Sequence, residues 1–183
     1  IIANGVEGSV WSGTGATGGE FEGFLTATTG AFAVDGTVNT STASAAYTAA
    51  NIIANLQTLT ADMAADISAV LRKEDLHIYM SPKTYALYIS AVSTLGYVNA
   101  YNMNGDYVPV FEGYKIAVCN GMPNNQLVAA EKSNLFFGTD LLSDQTRIAL
   151  MDMAALDGSD NMRLVARYSG GVQLGIGADI VHQ

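Results

Sequence analysis

The residues best suited to chemistry are a glycine-rich run, two histidines, one cysteine and a small cluster of acids. Gly13-Thr14-Gly15-Ala16-Thr17-Gly18 matches the glycine spacing of dinucleotide-binding loops. Such a loop holds a pyrophosphate only where a strand feeds it and a helix N-terminus follows. Glu20-Phe21-Glu22-Gly23 follows here and is no helix start, so the run reads as a loop and not as a phosphate cradle. His77 and His182 are the candidates for a base at neutral pH. No G-x-S-x-G nucleophile elbow accompanies them, and two histidines so far apart do not make a zinc site. His77 sits in an apolar run and reads as a core or edge residue of a strand.

Cys119 is the single cysteine, which rules out an internal disulfide and a cysteine-based metal site. It ends Lys115-Ile116-Ala117-Val118-Cys119, a buried-strand pattern in which a thiol is inert. Asp152, Asp157, Asp160 and Asn161 offer oxygen ligands of the kind calcium takes, but not at the spacing of a twelve-residue calcium loop. Asp157-Gly158-Ser159-Asp160 is ordinary hairpin-turn chemistry. Met103, Met151, Met153 and Met162 read as filler for a core, the usual use of methionine in alternating strands. No catalytic constellation emerges, no cofactor or metal is expected, and the chain is read as a non-enzyme.

The composition points the same way. Among 183 residues, 49% are hydrophobic and only 14% charged, against roughly 25% charged in an ordinary soluble domain. A surface so lean in charge is either polar and uncharged or buried elsewhere, as at a subunit interface. Eight basic residues against seventeen acidic ones give a formal charge of -9. Nucleic-acid affinity depends on clustered Lys and Arg, and only Arg72-Lys73 are adjacent, so no specific nucleic-acid binding is expected. No apolar run reaches the roughly 18 residues of a membrane span. The chain opens at Ile1-Ile2-Ala3 without methionine, and the expectation is of a natural protein that is longer at this end.

These side chains would be positioned by a loop-rich lead-in, two central helices and flanking strands. Residues 1 to 47 hold much of the glycine and threonine, with Glu20 to Leu25 as one strand-like piece. Ile52, Ile53, Leu56, Leu59, Met63, Ile67 and Val70 then recur at three- and four-residue spacing, which predicts helix over 49–71, in one piece or two. Leu76 to Met80 reads as a buried strand. Ser81 as N-cap, Pro82 at the first helical position and Gly96 as terminator predict a helix over 82–95. Its apolar face would be Tyr85, Tyr88, Ile89, Val92 and Leu95. A long loop runs from Tyr97 to Phe111, and strands are expected at 114–119 and 126–130. Three strands close the chain. Two of them, 146–153 and 162–168, form a hairpin, and Val172 to Ile180 alternates as a third. Helices in the middle with strands on either side predict α+β.

In this order the pieces resemble the C-terminal part of the major capsid proteins of tailed bacteriophages. Asn4-Gly5-Val6-Glu7-Gly8 with Phe21-Glu22-Gly23-Phe24 looks like the exit from that family's long spine helix. Tyr79-Met80-Ser81-Pro82-Lys83-Thr84-Tyr85 is similar to its strand, proline and helix element. Phe111-Glu112-Gly113-Tyr114-Lys115-Ile116 looks like a recurring strand entry. Asn134 to Thr139 and Asp160 to Ile180 resemble the closing segments.

The resemblance implies a capsid fold of two lobes: 1–24 and 145–168 as the remnant of a peripheral lobe, 25–144 and 169–183 as an axial lobe. The family's N-terminal arm, extended loop and most of the spine helix would lie before Ile1. It further implies a structural subunit of phage or prophage capsids, assembled in the bacterial host cytoplasm, whose partners are copies of itself in hexamers and pentamers that enclose a genome. The contacts at the capsomer axis would fall on Tyr97, Tyr101, Asn102, Met103, Asn104, Gly105, Asp106 and Tyr107. A bacterial nanocompartment shell shares the fold and stands as an alternative. From other classes, a β-rich surface or ligand-binding module and a small hydrolase using His77 remain; the two helices oppose the first, and the missing nucleophile the second.

Overall fold

Five consecutive residues, Leu127–Glu131, are buried on both faces of one strand, and the rest of the fold is arranged around them. The computed structural model describes residues 10–11, 21–26, 30–42, 46–96, 109–139, 148–154, 158, 160–166 and 170–183. In chain order the elements are α1 (Ala31–Asp35), β1 (Asn39–Thr40), α2 (Ile52–Asp66), β2 (Leu76–Met80), α3 (Pro82–Thr94), β3 (Val110–Phe111), β4 (Tyr114–Val118), β5 (Leu127–Glu131), β6 (Leu135–Gly138), β7 (Ile148–Asp152), β8 (Met162–Ala166), β9 (Gly171–Leu174) and β10 (Val181–His182). Short 3-10 turns occupy Lys132–Asn134 and Gly177–Asp179.

Six strands form a mixed sheet in the order β1-β10-β5-β2-β4-β3, with β2 parallel to β4 and antiparallel to β5. Strands whose both faces are covered read as continuous apolar runs, which is why β2 and β5 show no alternation. One face carries Ile78, Met80, Ile116, Leu127, Ala129 and Val181 against α2 and α3. The other carries Tyr79, Val128 and Ala130 against Trp11, Phe24, Phe32, Leu174 and Ile180. The architecture is α+β, as the order of elements predicts.

Helix α2 buries Ile52, Asn55, Leu56, Leu59, Thr60 and Met63 on a single stripe. It stops at Asp66, five residues before the predicted end. Beyond it Val70 N–H donates to Ile67 O, Lys73 N–H to Val70 O and Leu76 N–H to Lys73 O, at 3.0, 3.1 and 3.2 Å. A series of tight turns thus delivers Ile67 and Val70 to the core at three-residue spacing, which mimics helical periodicity in the sequence.

Helix α3 begins as its cap predicts: the Thr84 amide donates to Ser81 Oγ at 3.2 Å, and Pro82 fills the first turn where its missing N–H costs nothing. Its deeply buried residues are Thr84, Tyr88 and Ala91, with Tyr85, Ile89 and Val92 alongside. Leu95 does not belong to that face. It lies one residue past the helix, before Gly96 at φ +82°, and is 61% exposed.

Three further expectations change. The strand-like piece is reduced to an isolated bridge at Glu22 followed by a turn at Phe24 and Leu25, where Phe24 N–H donates to Val10 O at 2.9 Å and Leu25 N–H to Trp11 O at 2.7 Å; α1 follows where no helix was expected. The final strand breaks after Leu174, because Asn134 clamps Ile176 by two hydrogen bonds of 2.7 Å. A Cβ on Gly175 would lie 2.7 Å from Asn134 Oδ1, so only glycine passes that clamp. Cys119 falls just beyond β4 and is half-buried, its amide donating to Met80 O at 2.9 Å. The predicted hairpin is present, β7 and β8 pairing antiparallel with Leu150 opposite Leu164.

Candidate assembly surface

The side chains singled out for chemistry are not brought together. His77 Nδ1 donates to Asp75 O at 2.7 Å, since a carbonyl can only accept, which makes Nδ1 the protonated nitrogen, and its ring lies 6.1 Å from that of Tyr79. Burial pushes the Tyr79 phenol up to about 12, so it stays a neutral hydroxyl. His182 is on the far side of β5, paired across the ladder with Val128. Asp152 Oδ1 accepts from the Ala154 amide at 2.9 Å, as a turn residue does, while Asp157 lies outside the described residues. Among the described residues no three His, Cys, Asp or Glu side chains form a group that could hold a metal ion. The Gly13 to Gly18 run and the loop residues Tyr97, Tyr101, Asn102, Met103, Asn104, Gly105, Asp106 and Tyr107 also lie outside the described residues.

A cleft of about 640 Å³ opens between the turns after α2 and the β3–β4 turn, lined by Arg72, Lys73, Lys115, Glu74 and Glu112 among others. Its charges are mixed. Lys73 Nζ is 2.7 Å from Glu131 Oε1, and Glu112 accepts from Thr60 Oγ1 at 2.8 Å. An opposed set of this kind is not a phosphate cradle.

What the molecule does present is apolar surface on two ribbons outside the six-stranded sheet, β7–β8 and β6–β9, of which β6–β9 packs Leu135, Val172 and Leu174 into the second core and leaves Phe136 and Phe137 partly exposed. In β7–β8, Leu150 and Leu164 face each other and are 63% and 66% exposed; Met162, opposite Asp152 on the same face, is 68% exposed. Met151 pairs with Arg163 on the other face and is exposed as well. The expectation that Met151 and Met162 fill a core is therefore overturned: alternation built the strands, but no described element covers either face. In β6–β9, Phe136 and Phe137 are both about half exposed, and Phe137 meets Phe21 at 5.7 Å between ring centroids. A shallow apolar cleft of about 570 Å³ lies beside them, floored by Gly138, Gly170 and Gly171. The sequence signal for this surface is present in retrospect: Leu135-Phe136-Phe137 offers two adjacent aromatics, which a strand must send to opposite faces.

A two-stranded ribbon with bare apolar faces is marginal in water by itself. Contiguous exposed apolar groups on an otherwise well-packed molecule mark a surface that meets another one. Among the described residues the geometry thus presents exposed apolar surface and gathers no group of side chains suited to chemistry. Among solved structures, the chain is similar to one of Mycobacterium phage Che8, with a TM-score of 0.56 and 14% identity over 80% of this chain and 53% of that one. A virus-like particle from Pyrococcus furiosus gives 14% identity over 79% of this chain and 54% of that one, with a TM-score of 0.47. The chain spans about half the length of the solved structures it matches. No protein-family model matches it, and neither does any curated protein sequence. The shared fold is consistent with the capsid-type fold that the sequence resemblance implies. No helix of the described residues is long and apolar enough to cross a membrane.

Proposed function

We propose that the chain is part of a structural subunit that packs against copies of itself in the closed shell of a phage or prophage, and that it carries out no catalysis. The observation that carries this reading is the fold shared with the phage structure, joined to the exposed apolar ribbons β6–β9 and β7–β8. On this reading 1–24 and 145–168 belong to a peripheral lobe, 25–144 and 169–183 to an axial lobe, and the complete subunit forms the hexamers and pentamers of an icosahedral shell around a genome. Tyr97 to Tyr107 would face the capsomer axis. Ring contacts are heterologous, one patch meeting a different patch on the next copy, so exposed ribbons need not be self-complementary. The acidic balance suits a container whose genome is not held by basic patches.

Light scattering and negative-stain microscopy of the complete gene product test this. Closed shells are the expected result; a product that stays monomeric across salt and crowding conditions, with any scaffold supplied, overturns it. Deleting Asn102 to Asp106 should impair capsomer formation while the far-UV circular dichroism is kept.

A further inference from the structure

The rings of His182, Phe32, Phe24 and Trp11 form an unbroken series across one face of the sheet. Centroids are 5.9 Å apart from His182 to Phe32, 5.7 Å from Phe32 to Phe24 and 5.7 Å from Phe24 to Trp11, and Trp11 in turn meets Tyr79 at 5.6 Å. His182 Nε2 is shut away from solvent and has no hydrogen-bond partner among the described residues. The backbone that carries the ring cannot give way, because β10 is paired on both sides. Val181 and His182 pair with Ala129 and Val128 of β5 and with Asn39 and Thr40 of β1, and the Ser41 amide donates to His182 O at 2.8 Å. The opposite side is weaker. It is the five-residue helix α1, whose N-terminus has no side-chain cap.

We propose that His182 is an acid-sensitive latch: while neutral it seats the Trp11–Phe24–Phe32 layer on the sheet, and when protonated it releases that layer. An imidazolium needs a partner for each N–H, and the apolar site offers Nε2 none. Among the described residues the elements around the ring supply no compensating charge; α2, packed on the other face of β10 through Val181, carries Asp62, whose carboxylate accepts from Ser41 Oγ. β5 presents Val128, with Tyr79 beyond it kept a neutral phenol; β1 presents Thr40; α1 presents Phe32, and its one acid, Asp35, accepts from Thr37 instead. Burial accordingly holds the His182 imidazole below its ordinary value. The sign follows from linkage: the released state takes up the proton more readily, so the layer is fully held above about pH 6.5 and loses its hold as pH falls below that value. This inference does not depend on the shell reading.

Trp11 is the only tryptophan and reports on the layer directly. Its emission and acrylamide quenching are followed from about pH 8 to about pH 5, above the range in which ordinary carboxylates titrate, together with the far-UV circular dichroism of α2 and α3. The expected result is a red shift and greater quenching on acidification with the helical signal retained. His182→Gln, neutral throughout, abolishes the transition, and so does His182→Phe, which keeps an aromatic ring against Phe32. His77→Gln leaves it in place. A transition that persists in the folded His182 variants, follows His77, coincides with loss of the helical signal or is absent from the wild type overturns the latch.

Discussion

Thr60 Oγ1, on α2, donates a 2.8 Å hydrogen bond to the carboxylate of Glu112 in the turn between β3 and β4. Glu112 has φ +49°, and Gly113 follows at φ +92°. Two successive left-handed residues make a tight hairpin turn suited to Asn-Gly, so a glutamate there is under strain that its bond to α2 helps to hold. Thr60→Val should destabilise the fold by about 1 kcal/mol, the net worth of one such bond. The urea midpoint checks it, and a shift no larger than that of an exposed substitution would show that the bond holds nothing.

Leu59 and Leu95 are both leucines at apolar positions of a helical pattern, and they should behave oppositely. Leu59 has no exposed surface, so Leu59→Ala should cost about 2–5 kcal/mol through lost burial and the cavity left behind. Leu95→Asp should stay within about 0.5 kcal/mol, because the side chain is already in water. Thermal and denaturant unfolding of the pair decide the assignment.

Ser81 does more than cap α3. Its hydroxyl accepts from the Thr84 amide and donates to Asn124 Oδ1 at 3.0 Å, tying the helix start to the loop before β5. Ser81→Ala should cost about 1–2 kcal/mol, at the upper end of cap substitutions. Ser81→Asp, which preserves the cap acceptor but sets a charge against Asn124 Oδ1, should not restore the wild-type midpoint.

Asp75 should make stability fall in acid. The Ser133 hydroxyl first, and then the Ser133 amide at 2.7 Å from Oδ2, hold its carboxyl below the ordinary value. A depressed carboxyl stabilises the fold above its unfolded pKa of about 4 and loses that contribution as pH falls through the folded value. Asp75→Asn should flatten this acid limb, seen as a smaller difference between urea midpoints measured on either side of it. An unchanged slope would remove Asp75 from the account.

Leu150→Lys combined with Leu164→Lys should leave the monomer's circular dichroism and unfolding midpoint within surface-substitution range, since both side chains are exposed across from each other. In the complete gene product the same pair should reduce assembly measured by light scattering. Assembly at the wild-type level would show that this face of the ribbon is not a contact.

Much of the fold was legible from local signals. Ser81, Pro82 and Gly96 set the limits of α3, and the alternating residues after Asn161 gave a hairpin with the observed partner strand. The errors arose where periodicity was ambiguous. Ile67 and Val70 keep a helical spacing while lying in successive turns, and Leu95 keeps it while lying past the helix end. The candidate site was less legible. Alternation in β7 and β8 says which residues share a face, but nothing in the two segments says that the face is left uncovered.

The sequence by itself determined the types of α2, β2, α3, β4, β5, β7 and β8 and the acidic, charge-poor character of the chain, because periodicity, capping, turn chemistry and composition act through neighbours in the chain or through none at all. Only the tertiary structure decided that β5 lies at the centre of a mixed sheet, that Asn134 breaks the last strand at Ile176, that Glu112 reaches Thr60, and that Leu150, Met162 and Leu164 remain exposed. Each of these depends on groups distant in sequence meeting, or failing to meet, once burial of the apolar faces has chosen which surfaces close on one another.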